Sequence, residues 1–306
     1  MGLRVACCGH WANGSSIGHS DRQTVDFLRK EAIAITFPLR RFDQLTWTQA
    51  KVSAHRDGAT LIWPFGACEQ HGPHLPLATD SLFAETISQE VLQRLPEKFP
   101  IWALPPQAIG FSPEHVSFPG TLSLSANLLL QLVMEVGEQL ASMGFKRLLF
   151  FNAHGGQIGL LEAAARQLRL KCPKMAVLPC FIWRGVSSLA DSIPQHEKQF
   201  GLHAALAETS LMMSLYPDLV GSERPFDGDH SSEGSSQKPP EGWSLEGAAP
   251  YSWLTKDLST SGVIGDSRKS NLCLGNDLKA SLVDHWTLLL QRLMDSDWPD
   301  LREFEH

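Results

Sequence analysis

The sequence predicts an α/β fold, a three-layer α/β/α sandwich on a largely parallel sheet, and three observations carry that expectation. Between residues 59 and 215, short apolar runs alternate with longer segments whose apolar residues recur at helical spacing. The short runs are continuously apolar, as strands buried on both faces are. The segments between them are long enough to hold the crossover helices that parallel strands require.

Taken in order, Ala59 to Phe65 reads as a buried strand, Ser81 to Leu95 as an amphipathic helix, and Ile101 to Pro105 as a short strand stopped by prolines. A helix from Ser125 to Met143 opens on a small polar residue and closes at Gly144, the usual C-terminal glycine. Arg147 to Phe151 reads as a strand, Ile158 to Leu170 as a helix, Met175 to Ile182 as a strand and Ala204 to Leu215 as a helix. Residues Gly221 to Trp243, rich in Ser, Gly, Pro and Asp, read as a surface loop or lid, and Ser270 to Leu293 as the last helix. The charged tail from Asp295 is expected to fray. The first 38 residues, with a helix-like stretch from Arg22 to Ala34, read as an extension to a main domain covering 39–306.

Bulk properties remove several function classes. With 306 residues and 43% hydrophobic content the chain can bury a substantial core. Its formal net charge of −7, with both signs interspersed, lacks the basic footprint of a nucleic-acid binder. The densest apolar stretch, Leu128 to Val133, is far shorter than the roughly 20 residues that cross a bilayer. Residues Met1 to Gly18 lack a signal-peptide pattern. Six cysteines without a repeating spacing point to reduced thiols, so a cytoplasmic protein acting on a small molecule or peptide is expected. Cys7, Cys8 and His10 lack the four-ligand spacing of a zinc site.

Two motifs sit where a doubly wound sheet gathers its ligands, at the carboxyl ends of strands. The first strand runs into Gly66-Ala67-Cys68-Glu69-Gln70-His71-Gly72-Pro73-His74-Leu75-Pro76, with Asp80 following. The strand at Arg147 runs into Asn152-Ala153-His154-Gly155-Gly156-Gln157. Glu69 and His71 are two apart, so in extended backbone they leave one face together. The Gly-Pro bend lets Asp80 return, and the glycines after His154 permit close approach. Carboxylates mixed with imidazoles suit divalent Zn, Mn or Fe. A single buried histidine is ordinarily a hydrogen-bonded core residue, but two carboxylates and two histidines at strand ends need partners. His74 suits a role beside the ligands rather than among them. Alternation turns Cys68 away from the metals.

At these residues the chain resembles the creatininase family of metal-dependent amidohydrolases. The resemblance spans about Leu45 to Leu293 and rests on four blocks: Pro64 to Pro76 with Asp80, Phe118-Pro119-Gly120-Thr121-Leu122-Ser123, Asn152 to Gly156, and His203 with Glu208-Thr209-Ser210. It implies two divalent metal ions, with Asp80 bridging, Glu69 and His154 holding one ion, and His71 and Glu208 the other. A hydroxide between the ions would attack the amide, and His203 would protonate the departing nitrogen. Without the resemblance, His203 and Glu208 read as a helix-start region with a solvated carboxylate. It also implies a homo-oligomer, as large as a hexamer.

Departures bear on substrate. Creatinine amidohydrolase proper carries a ligand glutamate where this chain has Gly156, and a substrate-packing tryptophan where it has Gln199. The usual glycine two positions after the histidine is Ala205. Creatinine is therefore a poor candidate, although Trp183 can supply some lost contact. The leading expectation is hydrolysis of a non-peptide amide, cyclic or linear. A deformylase or small-peptide peptidase on the same metals is the alternative, and a non-catalytic metal or metabolite binder is the alternative of another class. Ser112, Glu114 and His115 precede the second block in a loop, where His115 reads equally as a substrate contact or as part of the surface. Thr121 and Ser123 read as shaping the backbone near the metals. Asp227, Asp229 and His230 read as a solvated cluster.

Overall fold

The computed structural model describes residues 40–228 and 239–299. The N-terminal extension, its expected helix, Cys7, Cys8, His10, Asp229 and His230 lie outside the described residues, as does the expected domain boundary.

Among the described residues, β1 (Thr60–Phe65), β2 (Ile101–Ala103), β3 (Arg147–Asn152) and β4 (Ala176–Phe181) form one parallel sheet in the order β2-β1-β3-β4. Three helices cross between successive strands: α2 (Thr79–Arg94), α3 (Ala126–Met143) and α4 (Ile158–Lys171), preceded by α1 (Trp47–Ala54). Period-two alternation sorts each strand's side chains between two cores. Leu61, Trp63, Phe65, Leu148 and Phe150 pack with α3 and α4 through Leu129, Val133, Leu161 and Leu168. Ile62, Leu149 and Phe151 pack on the other face with Phe83, Ile87 and Val91 of α2. That second core also takes α7 (Leu206–Leu215) and α9 (Leu272–Met294), through Leu211, Met212, Leu282 and Trp286. Each such side chain contributes about 1.5–3 kcal/mol by leaving water. The result is the three-layer α/β/α sandwich expected.

The capping chemistry matches the expected boundaries. The Ser125 side chain accepts from Leu128 N–H at the start of α3, and Gly144 closes it at φ 110. The α1 helix was not expected; its marker was the capping box formed by Thr46 and Gln49. Three short helices also went unread, α5 (Leu189–Ser192), α6 (Gln195–Phe200) and α8 (Thr255–Leu258). So did a two-stranded antiparallel pair, β5 (Phe226–Asp227) with β6 (Gly265–Asp266), whose first strand lies within the expected loop.

Two local expectations need correction. The tail does not fray directly after Asp295, because the buried Arg147 guanidinium donates to the carbonyls of Ser296 and Trp298. Asp227 is not an idle solvated group: its carboxylate accepts from Ser259, Thr260 and Ser261 and fastens that turn. Among the described residues, no helix is long and apolar enough to cross a membrane.

Candidate metal centre and active site

The register of the sheet builds the site. Phe65 pairs with Asn152, so the segments leaving β1 and β3 start side by side at the carboxyl edge. Gly66 makes the first approach to α2, since a Cβ there would lie 2.4 Å from the backbone of Ser81. Asp80, at the second position of α2, is thereby held beside the β1 segment, at the positive end of a helix dipole. Glu69 N–H donates to Leu77 O and Gln70 N–H to Thr121 Oγ1, which secures the expected role of the Phe118 to Ser123 block. After β3, Asn152 Oδ1 accepts from His154 N–H and its amide donates to the His154 carbonyl, closing the turn that presents the imidazole.

His203 and Glu208 arrive from another direction. His203 exchanges backbone hydrogen bonds with Ile264. Ala204 then takes φ 53, a left-handed conformation that costs a non-glycine residue about 1–2 kcal/mol. The chain turns there and enters α7, and Ala204 N–H donates to Glu208 Oε2 at 2.6 Å. His203 thus lies in the loop and Glu208 in the first helical turn, both facing one centre.

All five expected ligands converge. Ligand atoms of Glu69, Asp80 and His154 lie within 4.8 Å of one another, and so do those of His71, Asp80 and Glu208. The two groups share Asp80. His154 Nδ1 is 3.3 Å from Glu69 Oε1 and 3.2 Å from Asp80 Oδ2, and His71 Nε2 is 3.5 Å from Asp80 Oδ1. Each imidazole is tied by its outer nitrogen: His154 Nε2 donates to Phe111 O and His71 Nδ1 to Glu69 O. Their inner nitrogens therefore face the carboxylates, the orientation that metal ligands need.

Glu69 Oε2, Asp80 Oδ2 and His71 Nε2 are buried without a hydrogen-bond partner. Unpaired buried groups of this kind are costly, and divalent cations would satisfy all three. The donor set therefore fits the metals that the resemblance implies. Protonation shifts tell the same story. Burial opposes charge on His71, yet Asp80, Glu208 and Glu69 together outweigh it and raise the imidazole to about 9. Burial likewise opposes charge on His154, but Glu69 and Asp80 hold it well above its ordinary value. Burial, reinforced by the charge of Asp80, pushes the Glu208 carboxyl up to about 7.

The neighbouring groups resolve as follows. His203 Nε2 donates to Gln70 O at 2.7 Å, leaving Nδ1 open to the centre, 3.8 Å from Glu69 Oε1. Burial holds His203 well below its ordinary pKa, and His115 and His71 add to the effect. His74 Nε2 donates to Thr209 Oγ1, so it braces the helix that carries Glu208 and joins no ligand group. The Cys68 thiol faces Gly120 O. Ser123 Oγ accepts from Ser112 N–H, and Ser112 Oγ lies 3.2 Å from His154 Nε2. Glu114 and His115 belong to the site rather than to an outlying loop. Glu114 Oε1 is 3.5 Å from His154 Nε2, and it fills the space over Gly156, where a Cβ would lie 2.0 Å from that oxygen. Sequence reasoning missed Gln157, whose amide donates to Gly66 O and Asn152 Oδ1 and so joins the two motif turns.

A cavity of about 850 Å³ opens onto these groups. Its floor includes Glu69, Asp80, His154, His203 and Glu208, while Phe181, Trp183, Leu189, Ile193, Leu245 and Trp253 supply apolar walls. Gln199 is not among its lining residues.

Comparison with known proteins agrees with this fold. The family model for creatininase (creatinine amidohydrolase) matches residues 43–290. The mycofactocin precursor peptide peptidase of Mycobacterium ulcerans is 32% identical over 238 residues, 74% of this chain and 82% of that protein. The creatinine amidohydrolase of Pseudomonas putida is 29% identical over 198 residues, 60% of this chain and 75% of that protein. Among solved structures, one named "Creatininase Mn" superposes with a TM-score of 0.66 at 21% identity, covering 84% of this chain and 100% of that chain. A creatininase structure of "Zn-Zn type" gives 0.65 at 20% identity, covering 84% of this chain and 99% of that chain. With its sheet, its strand-end ligand cluster and a match over residues 43–290, the chain belongs to the creatininase family.

Proposed function

We propose that this protein is a metal-dependent hydrolase that cleaves an amide bond in a peptide or peptide-like substrate. The cavity carries this reading. At about 850 Å³ it falls within the roughly 300–1,000 Å³ that accommodates drug-sized ligands, and a small ring such as creatinine would leave most of it empty. Its apolar walls suit side chains flanking a scissile bond. The 32% identity to a mycofactocin precursor peptide peptidase points the same way. This ordering reverses the expectation from sequence, which put a non-peptide amide first.

Two divalent ions, Zn foremost with Mn or Fe as alternatives, would be held by Glu69, Asp80 and His154 and by His71, Asp80 and Glu208. Bound there, they supply Lewis acidity that polarises the amide carbonyl and acidifies an attacking water. The chain's own groups do the rest. Water forms the new C–O bond at the carbonyl carbon and His203 Nδ1 takes the proton that water loses; the carbonyl then reforms as the C–N bond breaks. The same imidazole returns that proton to the departing nitrogen, a shuttle suited to a neutral histidine with an open lone pair. The apolar walls hold the substrate and exclude bulk water. A cytoplasmic homo-oligomer, as large as a hexamer, completes the proposal.

The test is a panel of peptides, formamides, cyclic amides and creatinine incubated with Zn- or Mn-loaded protein, with new amines and carboxylates detected by mass spectrometry. Peptide cleavage that disappears in His203→Ala is the expected result. Turnover of creatinine or formamides with every peptide intact would refute the peptide reading.

A further inference from the structure

We propose that His115 is a further catalytic residue of the hydrolysis set out above: a fixed N–H donor to the oxygen of the scissile carbonyl, and not a metal ligand. The proposal rests on that reading for its substrate. Its geometry stands independently.

The argument begins at Gln70. Gly72 N–H donates to Gln70 Oε1 at 2.9 Å, and Gln70 Nε2 donates to Gly262 O at 3.1 Å, so the amide has one orientation. The same Nε2, which carries only donors, lies 2.9 Å from His115 Nδ1. Nδ1 is therefore an acceptor. Thr255 Oγ1, 2.7 Å from that nitrogen, must then donate to it as well. A neutral imidazole whose Nδ1 accepts carries its proton on Nε2.

That Nε2–H faces the reaction space. His115 lines the cavity, and its Nε2 is 3.5 Å from Glu69 Oε1 and 4.0 Å from Glu114 Oε1, each too long for a strong hydrogen bond. Ligand atoms of Glu69, Glu114 and His115 do lie within 4.8 Å of one another, a spacing that admits a cation. The tautomer speaks against one, because a ligating nitrogen must present its lone pair and here that nitrogen holds the hydrogen. Any cation on His115 would have to displace the proton while Gln70 still pointed N–H at Nδ1.

His203 has the opposite polarity. Its Nε2–H is committed to Gln70 O and its Nδ1 lone pair faces the centre. The two rings stack with centroids 4.1 Å apart and planes 28° apart, and both inner nitrogens approach Glu69 Oε1. Gln70 thus sets both imidazoles, through its backbone carbonyl for His203 and its side-chain amide for His115. One ring accepts the proton from water. The other donates a hydrogen bond to the oxygen that gains negative charge as the carbonyl carbon turns tetrahedral, the usual work of an oxyanion donor.

The test uses metal-loaded protein, His115→Phe and His115→Gln, the latter because a glutamine amide can restore an N–H near the position of Nε2. Metal per chain and the absorption spectrum of the cobalt-substituted protein should match the wild type in both variants. Against a peptide substrate, His115→Phe should lower kcat by about 10²–10³-fold with little change in KM, and His115→Gln should recover at least tenfold of that loss. Loss of metal or an altered cobalt spectrum would mean that His115 is a ligand or positions Glu69, and would overturn the proposal. So would an unchanged kcat. Long-range ¹⁵N–¹H correlation on the wild-type holoprotein gives a readout without variants or substrate: a protonated Nδ1 on His115 would refute it. A wild type that turns over nothing sinks the hydrolase reading, and the tautomer and metal measurements then judge the donor assignment separately.

Discussion

Gly156 offers a quantitative perturbation, because the structure says what an added methyl group would meet. A Cβ there would lie 2.0 Å from Glu114 Oε1 and 2.6 Å from His154 Nε2. The imidazole cannot yield easily, since that nitrogen is tied to Phe111 O. The Glu114 carboxylate must therefore retreat by about 1.4 Å to reach ordinary contact. Overpacking of this kind costs about 1–3 kcal/mol, offset by about 0.4–1 kcal/mol from the stiffer unfolded chain. A net loss of about 1–2 kcal/mol remains for Gly156→Ala, a fall in Tm of about 2–6 °C for a domain of this size. Glu114→Ala should remove the closer of the two collisions and leave that with His154 Nε2, so Gly156→Ala should cost less in the Glu114→Ala background than in the wild type. Calorimetry on the four proteins of the cycle decides it. If Gly156→Ala is as stable as the wild type, or costs as much with Glu114 removed as with it present, then Glu114 does not occupy that space.

Further outcomes follow from the same geometry. Asp80→Ala should abolish binding of both ions, whereas His154→Ala should lose one, as read by metal content per chain. Asp227, whose carboxyl its hydrogen bonds hold at about 2 despite burial, stabilises the fold fully above the unfolded value of about 3.9. That contribution is lost as pH falls from there through about 2, so the Tm gap between wild type and Asp227→Asn should narrow steadily from pH 5 to pH 3. Trp253 lines the cavity with its ring 6.2 Å from that of His115. Trp253→Ala should raise KM for a peptide about tenfold and leave metal content unchanged.

How much of this was legible beforehand divides along physical lines. The sheet was readable because β1 and β3 are buried on both faces and hence apolar at every position but their ends. The candidate ligands Glu69, His71, Asp80 and His154 were readable because a strand end followed by glycine marks where a chain reverses at the carboxyl edge. Glu208 and His203 were not readable from spacing. Their convergence depends on a left-handed Ala204, a conformation that no local sequence signal announces for alanine. The placement of Glu114 and His115 was equally hidden. That of His115 is set by Gln70, Thr255 and Gly262, residues that meet across as many as 192 positions of chain. The short helices α5, α6 and α8 carry too few residues for periodicity to appear, and β5 and β6 have two each.

The charge balance of the centre yields a last prediction. Glu69, Asp80 and Glu208 place three carboxylates in a pocket where, among the described residues, no Lys or Arg pairs with them. Without cations, protons serve in their place, which is why His71 is raised to about 9 and His154 well above its ordinary value. Burial and Asp80 together push Glu208 up to about 7, so part of its carboxyl population is also protonated at neutral pH. A bound metal requires each imidazole neutral and each carboxylate ionised. Loading the apoprotein at pH 7 must therefore release about two protons from the histidines and a fraction more from Glu208. Calorimetric metal titrations in buffers of different ionisation enthalpy measure that number directly. In His71→Ala it should fall by about one if the protein still takes up an ion. Release of no protons by the wild type would mean that the apo centre is not balanced by imidazolium, and that its carboxylates are neutralised by some other group.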